Sequence, residues 1–234
     1  VELYLGQRQS AESLLGGGFD EVILATGIRP RTPNIPGIEH AKVMSYLDVL
    51  RDHKPVGEKV AVIGAGGIGF DVAEYLVEKR GSPDAESHRD HWLKEWGIDK
   101  QLGERGGLTT PEIDAPERQI WLLQRKESKV GDGLGKTTGW IHRTVLKNRK
   151  VQMLSGVQYL RIDDAGLHIQ VSDQQQCLPV DQVIICAGQE PLKELQAGLQ
   201  AAGKPVHIIG GADVAAELDA KRAIRQGAEL AAVI

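Results

Sequence analysis

Cysteine, aromatic residues and long apolar runs are scarce in this chain of 234 residues. Cys177 and Cys186 are the only cysteines, and their spacing matches neither a redox-active C-x-x-C pair nor a zinc site. Two thiols also cannot supply all the ligands of an iron–sulfur cluster. No apolar run approaches the roughly 20 residues that a membrane-spanning helix needs. The sequence therefore predicts no metal site and no membrane contact on this chain.

Charge and chain start narrow the class of protein further. The net charge is −4, from 28 basic and 32 acidic residues, so nothing favours nucleic acid or an anionic membrane as a partner. The chain begins with Val1 rather than methionine, and its clearest glycine motif starts only at Gly64. We therefore expect a fragment whose N-terminal portion is missing, so the lack of a signal peptide is uninformative.

A glycine loop between a buried strand and a helical pattern is the most informative feature. Residues 59–79 read KVAVIGAGGIGFDVAEYLVEK, and this strand–GxGxxG–helix order indicates a dinucleotide site. Gly64 permits the tight turn, Gly66 lets backbone approach a pyrophosphate, and Gly69 lets the helix pack on the strand. The alternative is a glycine turn without a ligand. The predicted phosphate-binding residues, at a helix N-terminus, are Gly64, Ala65, Gly66, Gly67, Ile68 and Gly69.

The end of the second strand bears on which nucleotide binds. NAD sites usually have Asp or Glu there, bound to the ribose 2′-OH. Here the predicted strand 118–123 is followed by Gln124, Arg125 and Lys126, with Lys129 nearby and Glu127 the single acid. The planar guanidinium of an arginine can donate two parallel hydrogen bonds to a phosphate, and neighbouring lysines add positive charge. The pattern favours NADPH over NADH; the alternative is a solvated basic corner.

Two similar turns flank the glycine loop. Residues 20–30 read DEVILATGIRP and residues 181–191 read DQVIICAGQEP, each a strand ending in a small residue, glycine and proline. Residues 31–56, with a short helical pattern between proline-rich ends, predict a linker into a new domain. Alternating residues over 158–180 predict an antiparallel meander. The long connection 81–116, with two tryptophans, is either a lid or docking surface or a solvated excursion.

Several blocks carry a family resemblance. GAGGIGFDVAEYL, LLQRKESKVGDGLGKTTGWIHRTVLKNRKV, ICAGQEP and IIGGADVAAELDAKRAIRQGAELA resemble the C-terminal part of bacterial NADPH-dependent 2,4-dienoyl-CoA reductases. That family belongs with trimethylamine dehydrogenase and the Old Yellow Enzyme barrels. The resemblance implies an α/β fold, in which a Rossmann-like NADPH domain with a β-meander is inserted in a partial FAD-binding Rossmann-like domain. The implied limits are 1–55 and 191–234 for FAD, and 56–190 for NADPH with its insertion 81–116.

The resemblance also implies cofactors and a role. Hydride would pass from NADPH to FAD, and electrons would continue through a 4Fe-4S cluster and FMN on a missing N-terminal TIM barrel. There a 2,4-dienoyl-CoA would be reduced, in cytoplasmic fatty-acid β-oxidation. This chain would contribute no catalytic side chain and would be inactive alone. A related amine or enoate dehydrogenase, or a structural nucleotide-binding module without turnover, remains an alternative.

The resemblance assigns further cofactor contacts to three turns. Ala25, Thr26 and Gly27 would lie near FAD. Gly211 and Asp213 would lie beside its phosphates or ribityl chain, although related flavoproteins place the acid directly after the first glycine of this turn, where this chain has Gly211. The second of the two similar turns, in residues 181–191, would contribute two further cofactor-binding residues, Ala187 and Gly188.

Overall fold

A computed structural model describes residues 1–78, 85–216 and 220–234. These residues form two compact units, Val1–Arg31 with Gly188–Ile234, and Thr32–Ala187. The sequence places the limits at 55/56 and 190/191 instead. One boundary between the packed units falls just after the first of the two similar turns, residues 20–30. The other falls within the second, residues 181–191. The assignment of each unit to its own cofactor stays a prediction.

The described residues contain twelve short strands and seven α-helices. The strands are β1 (Val22–Leu24), β2 (Ile28–Pro30), β3 (Val43–Ser45), β4 (Lys59–Ile63), β5 (Gln119–Leu123), β6 (Gln152–Leu154), β7 (Val157–Asp163), β8 (Gly166–Val171), β9 (Gln174–Leu178), β10 (Gln182–Ile185), β11 (Gln189–Pro191) and β12 (Val206–Ile208). The helices are α1 (Ala11–Gly16), α2 (Tyr46–Leu50), α3 (Gly67–Val77), α4 (Ala85–Glu95), α5 (Gly139–Asn148), α6 (Glu194–Ala201) and α7 (Ala220–Ala231). Short 3-10 turns span Arg105–Gly107 and Gly210–Ala212.

A five-stranded parallel sheet organises the larger unit. Its order is β3-β10-β4-β5-β6, and every neighbouring pair runs parallel. The last four residues of β4 and of β5 are buried, as expected of strands covered on both faces. Helix α3 packs Phe70, Val72 and Leu76 into the core on one face. The predicted α/β fold is therefore confirmed for this unit.

An antiparallel meander covers the other face of the sheet. Strands β7, β8 and β9 pair in sequence order, and alternate residues Leu167 and Ile169 are fully buried. They pack in one cluster with Ile63, Trp121 and Val183 of the parallel sheet. The period-two pattern over 158–180 therefore predicted the meander correctly, with β9 starting earlier than the pattern indicated.

The predicted linker 31–56 contains two elements of the larger unit. Val43–Ser45 pairs in parallel with β10 and forms an edge of the sheet. The helix Tyr46–Leu50 follows directly, and buries Tyr46 and Val49 against the core. The short helical pattern predicted within this segment is therefore present, but the edge strand was not predicted, because a three-residue strand leaves no periodicity to detect.

The insertion packs on helix α5, and its first residues, 81–84, lie outside the described part of the chain. The rings of Trp96 and Trp140 meet edge to face with centroids 6.4 Å apart. The buried guanidinium of Arg149 pairs with Glu95 at 2.8 Å. An ion pair this well buried fixes one geometry at a desolvation cost. The role of the insertion as a lid or docking surface stays a prediction.

The smaller unit contains two short sheets. Strand β1 pairs in parallel with β12, and β2 pairs antiparallel with β11. Val22, Leu24 and Leu199 form its core, with α1 and α6 packed around them. The predicted C-terminal helix is described only from Ala220, since 217–219 lie outside the described residues. No helix in the described ranges is long and apolar enough to cross a membrane.

Asp48 caps helix α2 and provides a test of this local structure. Its carboxylate accepts hydrogen bonds from the Ser45 N–H and hydroxyl at 2.7 and 2.6 Å, and pairs with Lys54. The bond from Lys54, then that from Ser45, lowers the pKa of Asp48 from 3.8 to about 2. The stabilisation is present above the unfolded pKa and is lost as pH falls through about 2.

We expect Asp48→Ala to lower the free energy of unfolding by about 1 kcal/mol at neutral pH. Urea unfolding as a function of pH should show this deficit shrinking on acidification below the unfolded pKa. Asp52→Ala is the control, because the exposed Arg51–Asp52 pair contributes little. Equal losses in the two variants, or a deficit independent of pH, would contradict the assignment.

Candidate functional site

The turn after β4 requires glycine at its first position. Gly64 has φ +113°, and its N–H donates to the Leu123 carbonyl at 2.9 Å. A Cβ there would lie 2.3 Å from the carbonyl oxygen of Cys186, at the end of β10. Backbone conformation and the neighbouring chain therefore both exclude a side chain.

Close packing of helix on strand explains Gly69. This residue is buried in the first turns of α3, where a Cβ would lie 1.8 Å from the Gly64 carbonyl oxygen. The helix can approach the strand end only because the side chain is absent. Gly69 thus has the structural role predicted for the last glycine of the motif.

The middle of the loop is open. A Cβ at Gly66 or Gly67 would meet no atom within 4 Å, and both residues are exposed. Gly66 is the N-cap of α3, and no side chain in the described part of the chain caps the helix. The first turn of the helix contains no acid. The first-turn N–H groups can therefore bind an anion. Ala65 and Ile68 are half-buried and pack their side chains against the core.

Parallel pairing brings several loops to one edge of the sheet. Strands β4, β5 and β10 are parallel neighbours, so the turns after Ile63, Leu123 and Ile185 share their carboxyl edge. The chain leaves β4 toward β5 on one side and returns as β10 on the other, which is the switch point where such sheets bind ligands. Ala187 lies on this edge. It is half-buried against the cluster that the meander forms with the parallel sheet.

The predicted basic residues lie in the loop that follows β5. Arg125, Lys126 and Lys129 are all exposed, and no described carboxylate pairs with any of them. Burial raises the pKa of the nearby Tyr159 hydroxyl, and the charge of Arg125 partly offsets this rise. The loop therefore presents positive charge that the described residues leave unneutralised.

The predicted FAD contacts of the smaller unit meet at the carboxyl edge of its parallel strand pair. Thr26 donates its hydroxyl to the Leu192 carbonyl, while Ala25 is exposed and Gly27 has φ +78°. A Cβ at Gly211 would lie 3.3 Å from the Gly27 backbone. The turns after β1 and β12 thus touch. Gly188 lies in the same unit, and its carbonyl accepts from the Arg31 N–H at 3.1 Å.

Asp213 is held by a residue that the sequence did not single out. The side-chain amide of Gln226 donates to the Asp213 carboxylate at 2.8 Å. Its amide oxygen accepts from the Gly210 N–H, also at 2.8 Å. Gln226 on α7 thereby fixes the turn Gly210–Ala212. No sequence signal marks it, because the contact spans 13 residues between a turn and a helix.

Other titratable groups pair within the larger unit. His142 on α5 bonds Glu74 on α3 at 2.8 Å, and burial raises the pKa of Glu74. Burial also raises the pKa of Cys186 to about 12, while Cys177 is exposed. No His, Cys, Asp or Glu cluster in the described ranges is arranged to hold a metal ion. The His142–Glu74 pair thus joins α5 to α3.

Comparison with known proteins gives the family. Residues 7–223 match the family described as pyridine nucleotide-disulphide oxidoreductase. Since this match spans most of the sequence, the chain belongs to that family. It is thus a pyridine-nucleotide-dependent flavoprotein oxidoreductase domain, of a class that binds FAD and NAD(P).

Individual relatives are much longer than this chain. A metal reductase of Desulforamulus reducens is 30% identical over 216 residues, which cover 91% of this chain and 31% of the relative. A cinnamate reductase of Clostridium sporogenes is 27% identical over 213 residues, covering 91% and 26%. A 2-naphthoyl-CoA reductase structure matches with a TM-score of 0.75 at 20% identity, covering 100% of this chain and 30% of that one.

The glycines allow packing and binding to be separated by mutation. We expect Gly69→Ala to lower the free energy of unfolding by about 3 kcal/mol, because its Cβ overlaps the Gly64 carbonyl. Gly66→Ala should leave stability unchanged but weaken dinucleotide binding, since its Cβ points into open space. Thermal unfolding and nucleotide titration measure the two effects. Equal stability of both variants would contradict the packing argument.

Proposed function

We propose that this chain is the NADPH-binding, electron-input module of a multi-cofactor flavin oxidoreductase. The observation that carries the proposal is the uncapped N-terminus of α3 beside the basic loop 124–129, whose cations have no carboxylate partner among the described residues. In this proposal the pyrophosphate binds on residues 64–69. Lys126 and Lys129 add charge at the 2′-phosphate, and Arg125 forms the bidentate contact.

The residues present fit a dinucleotide. A Cβ at Gly66 or Gly67 would meet no described atom within 4 Å, which supports placing a phosphate over these two glycines. The absence of an acid in the first turn of α3 removes a charge that would repel the phosphate. When bound, NADPH supplies a hydride that passes to FAD. The protein contributes placement and electrostatics, which is its usual share of cofactor chemistry.

The smaller unit is proposed as part of an FAD site. The turns at 25–27 and 210–213 follow parallel strands, and Gln226 holds the second turn in place. Gly211 lets this turn approach Gly27, and Thr26 ties the first turn to Leu192. Ala25, Thr26, Gly27, Gly211 and Asp213 would then order this part of the site, without themselves moving protons.

The reaction of the whole protein is proposed as reduction of a 2,4-dienoyl-CoA. Two relatives are named for reducing conjugated substrates, a cinnamate and a naphthoyl-CoA, which supports an unsaturated acyl substrate. The chain spans 31% and 26% of the two reductases compared above, which supports a larger architecture. FMN and a 4Fe-4S cluster would belong to an N-terminal TIM barrel. A related amine or enoate dehydrogenase could share this module.

Substitution of Arg125 tests the nucleotide assignment. Arg125→Ala should weaken NADPH binding by roughly 1–3 kcal/mol, the cost of losing a charge-assisted hydrogen bond, and leave NADH binding nearly unchanged. Isothermal titration of the chain with each nucleotide measures both affinities. Arg225→Ala is the matched control, since this arginine is exposed on α7 in the other unit. An equal loss of affinity for NADPH and NADH would contradict the assignment of Arg125 to the 2′-phosphate.

A further inference from the structure

Gln124 occupies the position directly after β5, at the start of the basic loop. It is half-buried, and its side chain is hydrogen-bonded to residues further along the same loop. The side-chain Nε2 donates to the Lys126 carbonyl at 3.0 Å and to the Ser128 carbonyl at 2.7 Å. It also lies 3.3 Å from the Ser128 hydroxyl oxygen. One amide group therefore holds the backbone at two points of the loop.

Backbone hydrogen bonds attach the same loop to the turn after β6. The Gln124 N–H donates to the Leu154 carbonyl at 2.9 Å, and its own carbonyl accepts from Val157 at 3.0 Å. The Lys126 carbonyl accepts from the Gly156 N–H at 3.0 Å as well as from Gln124. Residue 125 therefore lies between two neighbours whose backbone is hydrogen-bonded within the chain, so the backbone that carries Arg125 is held without help from a ligand.

The bonding pattern of Gln124 requires an amide. Both main partners are carbonyl oxygens, which can only accept, so the group facing them must be the NH2. A glutamate would place its own oxygens about 3 Å from those carbonyls, where no hydrogen bond can form. The acid that NAD sites use at this position is therefore incompatible with this loop conformation.

We propose that Gln124 is a positioning residue that sets the preference for NADPH by holding the basic loop in its binding conformation. The inference rests on the proposed function, and adds a determinant that never touches the 2′-phosphate. A loop that is already ordered loses less conformational freedom when a nucleotide binds. The resulting increase in affinity should favour NADPH, because only its 2′-phosphate contacts the charges of the loop. NADH, which lacks the 2′-phosphate, should be nearly insensitive to residue 124.

Affinities of NADPH and NADH in three variants test this role. Gln124→Ala should reduce the ratio of the NADPH and NADH affinities about tenfold, while NADH affinity changes less than about twofold. Gln124→Glu should reduce the ratio at least as much, since it also brings a negative charge near the phosphate. Gln119→Ala is the control, because it removes an exposed glutamine from the other end of the same strand and should leave the ratio unchanged.

Hydrogen exchange of the Gly156 amide tests the positioning independently of nucleotide. This N–H donates to the Lys126 carbonyl, so its protection in the ligand-free chain should fall in Gln124→Ala and persist in Gln119→Ala. Wild-type preference for NADPH with an unchanged ratio in Gln124→Ala would overturn the inference alone. Unchanged Gly156 protection would do the same. Equal wild-type affinity for the two nucleotides would overturn the proposed function and this specificity role with it.

Discussion

The close approach of Gly69 to the Gly64 carbonyl is the constraint on which the candidate site depends. A side chain at position 69 would overlap that oxygen, at 1.8 Å, and push α3 away from the end of β4. Because the helix stays close, its uncapped N-terminus opens at the carboxyl edge of the sheet, beside the ends of β5 and β10. In the proposed site, close packing places this N-terminus at the sheet edge, and the helix dipole and first-turn N–H groups would attract the phosphates.

The proposed preference for NADPH depends on a second loop, the one that follows β5. Arg125 lies on backbone held by the side chain of Gln124 and by hydrogen bonds to the turn after β6. Exposed charges gain little from each other in water, so an ordered loop matters more than the number of cations. In this account the glycine loop binds any pyridine nucleotide, and the loop after β5 selects NADPH.

The sequence predicted the parts of the fold whose signals are local. The strand–glycine–helix segment, the second strand ending at Leu123 and the alternating meander all follow from periodicity and glycine placement. Strand β3 was missed, since its pairing with β10 joins residues far apart in the chain. The bonds of Gln226 and of Gln124 were also missed, because a glutamine carries no pattern that reveals which carbonyl or carboxylate it reaches. The sequence likewise did not predict that Arg149 joins the insertion to α5, because its partner Glu95 is far from it in the chain.

The central claim is that the glycine loop and the basic loop form one NADPH site. Amide chemical-shift mapping of the isotope-labelled chain tests it most directly. The account predicts that NADPH shifts the amides of Gly66 and Gly67 together with that of Arg125, whereas NADH shifts mainly the glycines. Perturbations that avoid residues 64–69, or identical shifts at Arg125 with both nucleotides, would contradict it.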